Sequence, residues 1–185
     1  LYSKSITPPL PMTIRQSLLA LLATEPTHGY GLKTHFEAQT AGTWPLNIGQ
    51  VYTTLARLER DGLVEAVPAD DDGPRQTWRI TGAGQVALAS WFAVPIALDP
   101  PARDELAVKV LLAVAADRED VLAILDRQRA ATLDQLQRWT RQKAEADPER
   151  ELPWLLVLDA LVLRAEAELA WLARCEARLA ARRRS

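Results

Sequence analysis

Between residues 47 and 57 the chain carries Asn47, Gly49, Gln50, Tyr52, Thr53, Thr54 and Arg57, a run of short hydrogen-bonding side chains ending in a cation. Such groups suit the edges of bases in a nucleic-acid groove, and an arginine one turn later reaches the phosphate backbone. Gly49 has no Cβ, so a phosphate can come close to the backbone amides of a first helical turn there. Other residue sets compete for chemistry and fare worse. Gly82, Gly84 and Ala87 fit the G-x-G-x-x-A pattern of a dinucleotide-binding turn, but no second strand with a terminal acid follows, as that unit needs. The plainer account is Thr81 capping a helix, with the glycines easing a tight strand-to-helix entry. His28 and His35 have no third ligand in reach, and Cys175 sits in an apolar helix where a thiol is usually inert. With no Ser/His/Asp order, HExxH or phosphate loop in the sequence, the reading assigns no catalytic residue, no metal and no cofactor, and expects no enzyme.

The 47–57 face needs an element to hold it, and the flanking sequence supplies one. Asn47 offers an N-cap oxygen, Gln50 completes a capping-box spacing, and Gly62 supplies a stop. Val51, Leu55 and Leu58 form its buried stripe, leaving Gln50, Thr53, Thr54 and Arg57 on the opposite side. Upstream, Ile14, Leu18, Leu21 and Leu22 mark a first amphipathic helix from Thr13 to Ala23. A second short helix from Leu32 to about Ala41 lies between breaks at Pro26/Gly29/Gly31 and Gly42–Pro45. Downstream, Leu63–Val67 and Arg75–Ile80 read as two strands of a hairpin, and Thr81 begins a fourth helix to about Val94. Helix-turn-helix followed by a β-hairpin is the winged-helix plan, which places one helix in the DNA major groove.

Beyond Pro95, Pro100 and Pro101 the chain is rich in Ala, Leu, Arg and Glu and reads as all helix, near Glu105–Ala115, from about Arg118 to Ala144 and from Pro153 to about Arg182. The last helix carries more apolar residues than one partner can cover, so a second copy of the chain is expected against it. The fold expected is mainly α: a winged helix-turn-helix over 12–94 with a two-stranded wing, then an all-α dimerisation domain over 95–185. Residues 1–11, with three prolines before Met12, read as a leader or cloning remnant.

Composition narrows the classes. The 185 residues hold 22 basic and 24 acidic side chains and 48% hydrophobic residues, which is globular composition. No apolar run approaches the roughly 20 residues of a membrane span. A single cysteine closes no intrachain disulfide, so a reducing, cytoplasmic setting is expected. Residues 12–94 carry six basic and eight acidic side chains, so any DNA affinity there must come from a few placed contacts doubled by dimerisation.

The segments HGYGL at 28–32, PLNIGQVYTTLARLERDGLV at 45–64 and RQTWRITGAG at 75–84 resemble the PadR family of bacterial transcriptional regulators, strongly over 12–94 and by layout beyond. The resemblance implies a homodimeric repressor that lays the helix at 47–61 in the major groove of a palindromic double-stranded DNA operator. Tyr30, Gln50, Tyr52 and Thr53 would contact DNA, with Arg75 on the wing; Asp70, Asp71 and Asp72 at the wing's tip would repel phosphate. It also implies that Trp91, with Phe92 beside it, occupies the position where some members turn an indole toward the dimer's central cavity, where it would stack on a small planar aromatic effector with help from Trp139 or Trp154. Ordinary core packing of Trp91 is the competing account. A winged helical interaction module that does not bind DNA is the functional alternative.

Overall fold

Apolar residues three and four apart decide which faces of this chain are buried, and a computed structural model shows where they meet. It describes residues 12–67, 76–96, 104–116 and 120–182. The chain divides into two units, up to Ala97 and from Leu98.

The first unit runs α1 (Met12–Thr24), β1 (Thr27–His28), α2 (Gly29–Gln39), α3 (Ile48–Arg60), β2 (Val64–Val67), β3 (Thr77–Ile80) and α4 (Gly82–Ala93). Leu18 and Leu22 of α1, Leu32 of α2, and Val51, Leu55 and Leu58 of α3 are buried together against Val64, Trp78 and Leu88. The sheet has three strands rather than the expected two. β3 is central, with β2 pairing from Val64↔Ile80 to Val67↔Thr77 and β1 pairing through Thr27↔Trp78. A two-residue strand is too short to show alternation, so it left no sequence signal.

α2 begins three residues before the expected Leu32. His28 is its N-cap, and its Nδ1 accepts from the Gly31 N–H at 2.9 Å. Histidine is a rare N-cap, so the two glycines read as a break instead. α3 ends as its glycine predicts: Gly62 takes φ +71, its N–H bonds the Glu59 carbonyl, and the Leu63 N–H bonds that of Leu58. That is a Schellman motif. α2 ends with the same hydrogen bonds, from the Ala41 and Gly42 N–H groups to the carbonyls of Ala38 and Glu37, but there Ala41 stands where α3 has Gly62, at φ +44, and Gly42 follows it at +70.

Of the glycines at 82 and 84, the second has a packing explanation and the first meets nothing within 4 Å. Thr81 Oγ1 accepts from the Gly84 N–H at 3.1 Å and donates to the Gly62 carbonyl at 2.7 Å. A Cβ on Gly84 would lie 2.1 Å from the Leu63 carbonyl oxygen, so only glycine lets α4 start against that turn.

The second unit holds α5 (Glu105–Ala115), α6 (Val121–Glu145) and α7 (Leu152–Arg182). α5 begins at Glu105 as expected, with Asp104 Oδ1 capping the Ala107 N–H. α6 starts at Val121 rather than Arg118, which lies outside the described residues together with Asp117 and Glu119. Pro153 sits in the first turn of α7, where its missing N–H costs nothing. A small core joins Val110, Leu125 and Leu172, with Cys175 half-buried at its edge, where burial pushes the thiol pKa up and keeps it protonated. On α7 Trp154, Leu158, Ala165 and Leu172 are buried, while Leu152, Leu156 and Leu163 are exposed. At 100° per residue the exposed three lie on one stripe opposite the buried four. No described helix is long and apolar enough to cross a membrane.

Candidate nucleic-acid interface

α3 is held in place from both ends. Asn47 Oδ1 accepts from the Gly49 N–H at 2.8 Å, a shorter span than the expected capping box, so that amide is already occupied by the cap. Ahead of it, the Glu37 carboxylate accepts from the Leu46 N–H at 3.0 Å and pairs with Lys33, which ties α2 to the turn leading into α3. The Lys33 hydrogen bond first, then the Leu46 amide, hold Glu37 below the ordinary carboxylate pKa. Behind it, Asp61 accepts from Arg15 of α1 at 2.8 Å, and that bond is the main reason its pKa is lowered. Neither tie could be read from sequence, because both join residues far apart in the chain or across a turn.

The outer face of α3 differs from the expected one at one position. Gly49, Thr53 and Arg57 are exposed and Gln50 is half-buried. Thr54 is buried, with 4% of its surface left, and its hydroxyl donates to the Gln50 carbonyl. Its spacing explains this correction: Thr54 lies three residues after Val51 and four before Leu58, on the buried stripe. Thr53 is outside, yet its hydroxyl donates to the Gly49 carbonyl at 2.8 Å, so toward a base it offers an acceptor.

Tyr30 and Tyr52 frame this face, 56% and 43% exposed. The Tyr52 ring lies over Gly29, where a Cβ would come within 2.8 Å of it, and meets Trp78 edge-on, with centroids 6.1 Å apart. Tyr52 is thus half packing and half surface. Trp44 and Ile48, which the sequence reading passed over, are also exposed at the entry to α3. The cap at Asn47 was the available signal, since it leaves Ile48 in the overhanging first turn. Arg75 and the three aspartates at 70–72 lie outside the described residues.

Charge pairing sorts the cations of this unit. Arg15 and Arg60 face Asp61, Lys33 faces Glu37, and Arg79 bonds Glu65 at 2.6 Å. Among the described residues Arg57 has no such partner. Most of the unit's described cations are therefore engaged internally, and among the described residues the one left for an external anion is Arg57, on the outer face of α3.

Trp91 is half-buried against the core of this unit and meets Phe92 edge-on at 4.8 Å, while Phe92 is 68% exposed. Trp154 is buried in the second unit. Among the described residues no three His, Cys, Asp or Glu side chains cluster as metal ligands would.

Residues 18–90 match the family model described as the transcriptional regulator PadR-like family, and residues 102–180 match one described as virulence activator alpha C-term. Rv1176c of Mycobacterium tuberculosis, named as a probable transcriptional regulator, is 27% identical over 87% of this chain and 94% of its own. The Vibrio cholerae virulence activator AphA superposes with a TM-score of 0.67 at 25% identity, covering 91% of this chain and 98% of its own. Bacillus subtilis PadR, solved in complex with operator DNA, superposes at 0.69 and 16% identity, covering 90% and 97%; it was also solved with p-coumaric acid. Through residues 18–90 the chain belongs to the PadR-like family of transcriptional regulators, with a C-terminal region of the virulence-activator type.

Proposed function

We propose that this regulator is a homodimeric repressor in the cytoplasm, its 12–94 domain presenting α3 to the major groove and its 95–185 domain joining two copies. Two such helices about 34 Å apart meet successive turns on one side of a palindromic operator. The observation that carries the DNA reading is Arg57, a cation without an ion pair among the described residues, beside exposed Thr53 on a helix pinned through Asn47, Glu37 and Asp61. Tyr30, Gln50, Tyr52 and the wing at Arg75 complete the contact. The dimer reading rests on the bare stripe of α7 at Leu152, Leu156 and Leu163, since a helix apolar on opposite sides needs partners on both. The related PadR seen with operator DNA and with p-coumaric acid supports both a duplex partner and a small planar aromatic effector. Such an effector, near Trp91 and Phe92, weakens DNA binding by as much as it discriminates between two dimer states.

Fluorescence anisotropy on the duplex upstream of the chain's own gene tests this. Arg57→Ala is expected to weaken binding at least tenfold and to lower the salt slope by roughly two, one phosphate per subunit. If Arg57→Ala and Thr53→Ala leave both affinity and slope unchanged, α3 is not the reading helix. If no duplex binds, the winged fold serves protein contacts instead.

A further inference from the structure

The seam between α6 and α7 narrows to small side chains at Ala131, Thr132 and Ala165, and there the helices leave an open cleft of about 280 Å³. One end is apolar, walled by Trp139 and Leu161. The other is polar and built. Thr132 is 7% exposed, and it and Gln128 both direct donors at the same oxygen, Oε1, of Glu168, the Gln128 amide at 2.9 Å. The Thr132 hydroxyl also faces its own helix at the Gln128 carbonyl. It has one hydrogen, and the charged acceptor is the stronger one. Glu168 is thus pinned through one oxygen, and its second oxygen has no protein partner among the described residues.

Arg164 lines the same cleft one turn before Glu168 on α7, with Gln135 opposite on α6. Among the described residues Arg164 makes no ion pair, although its spacing from Glu168 would allow one. A carboxylate fixed by two donors and a cation standing apart from it flank an apolar wall carrying an indole. This is the complement of a small zwitterion with a flat apolar arm. We propose that the α6–α7 cleft binds a free amino acid of the aromatic class, its ammonium on Glu168, its carboxylate on Arg164 and its ring against Trp139. The volume, just below the roughly 300 Å³ at which small-molecule sites begin, suits no more than a ligand of that size. Ring stacking on Trp139 adds the directional part of the apolar contact. This site involves no residue of the DNA-reading face, and its occupancy is measured without DNA, so its failure and that of the operator reading are separable.

Titration calorimetry of the full chain with L-phenylalanine, phenethylamine and 3-phenylpropionate tests the assignment. The amino acid is expected to bind, and each truncated analogue at least tenfold more weakly. Arg164→Gln, at the exposed rim, should weaken L-phenylalanine at least tenfold and leave phenethylamine unaffected. Glu168→Gln should do the converse, leaving 3-phenylpropionate unaffected, with thermal melts confirming that the variant folds. Absence of heat with all three ligands, or affinities unchanged in Arg164→Gln, overturns the proposal. So does dissociation of the dimer by Ala131→Trp, at an exposed position lining the cleft, in sedimentation with an unchanged thermal melt, which would mean that a second copy fills the cleft.

Discussion

In the first unit Leu18 and Leu22 of α1, Leu32 of α2 and Leu55 of α3 are buried in one cluster with Val64 and Trp78 of the sheet, and what stays bare lies mainly on α4 and just beyond it, at Val86, Phe92, Val94 and Ile96. In the second, α7 buries Trp154, Leu158, Ala165 and Leu172 on one side and leaves Leu152, Leu156 and Leu163 bare on the other, while α5 leaves Leu111 and Leu112 exposed. The winged unit closes a large core around its helix-turn-helix and sheet, away from the α4 end. The helical unit has apolar surface for a core that one copy does not finish. On the function proposed above, rigidity would belong to the part offered to DNA, and association to the part that joins two copies.

The comparison breaks first at the bare stripe. Leu156→Asp with Leu163→Asp would place two carboxylates in the proposed interface, each costly to bury unpaired. Sedimentation equilibrium should show the dimer dissociating at least a hundredfold more readily, about 3 kcal/mol. The winged unit should keep its melting behaviour. A dimer of unchanged affinity would mean that α7 meets a partner elsewhere.

Next in size is a change that strikes the closed core alone. Gly84→Ala sets a methyl against the Leu63 carbonyl, where the added Cβ would stand 2.1 Å away. The backbone must shift, at a cost of about 2 kcal/mol. For a unit of this size that lowers its Tm by roughly 10 °C. Calorimetry should show the loss in the transition that also removes operator binding; an unshifted Tm would mean that α4 does not dock on the Gly62–Leu63 turn.

How much of this could be read in advance differs between local and distant causes. The caps at Asn47 and Thr81 and the stop at Gly62 act within one turn, so α3 and α4 stood where their residues placed them; α5 starts at the expected Glu105 on an equally local cap, Asp104, that the sequence reading did not use. Thr54 was misplaced although its spacing from Val51 and Leu58 was visible, because its polarity was allowed to outweigh its position. β1 was missed because two residues form a strand only when β3 is already there to pair with. The pairing of Arg15 with Asp61 joins residues 46 apart. Net charge counts both and cannot say that they cancel each other, so the availability of Arg57 emerged only from the fold.

Acid should also separate the units. Glu37 and Asp61 both have folded-state pKa values below their ordinary 4.5 and 3.8. A depressed folded pKa means the unfolded chain takes up protons first as pH falls. The stability these groups give is complete above their ordinary values and is lost as pH drops through the folded ones. The winged unit's transition should thus weaken below about pH 4.5. Glu37→Gln and Asp61→Asn should each flatten that acid limb while lowering stability at neutral pH, as denaturant titrations across pH 3–7 would record. An acid limb of unchanged slope in both variants would show that the ties to Leu46 and Arg15 do not hold α3.

The smallest effect should be a gain, at the other end of the helix-turn-helix turn. Ala41 occupies the left-handed position that closes α2, φ +44, where Gly62 does the same for α3 at +71. A Cβ is unfavourable in that region by about 1 kcal/mol, partly offset because glycine gains freedom in the unfolded chain. Ala41→Gly should raise the winged unit's stability by roughly 0.5 kcal/mol, seen as a small rise in Tm. Operator affinity should not change, because the Leu46–Glu37 bond that positions α3 closes over Ala41 and does not involve it. If Ala41→Gly instead weakens DNA binding at unchanged stability, the stiffness of this turn is itself part of how α3 is presented. The contrast would then lie within the winged unit, between a rigid core and a turn tuned for the duplex, as much as between the two units.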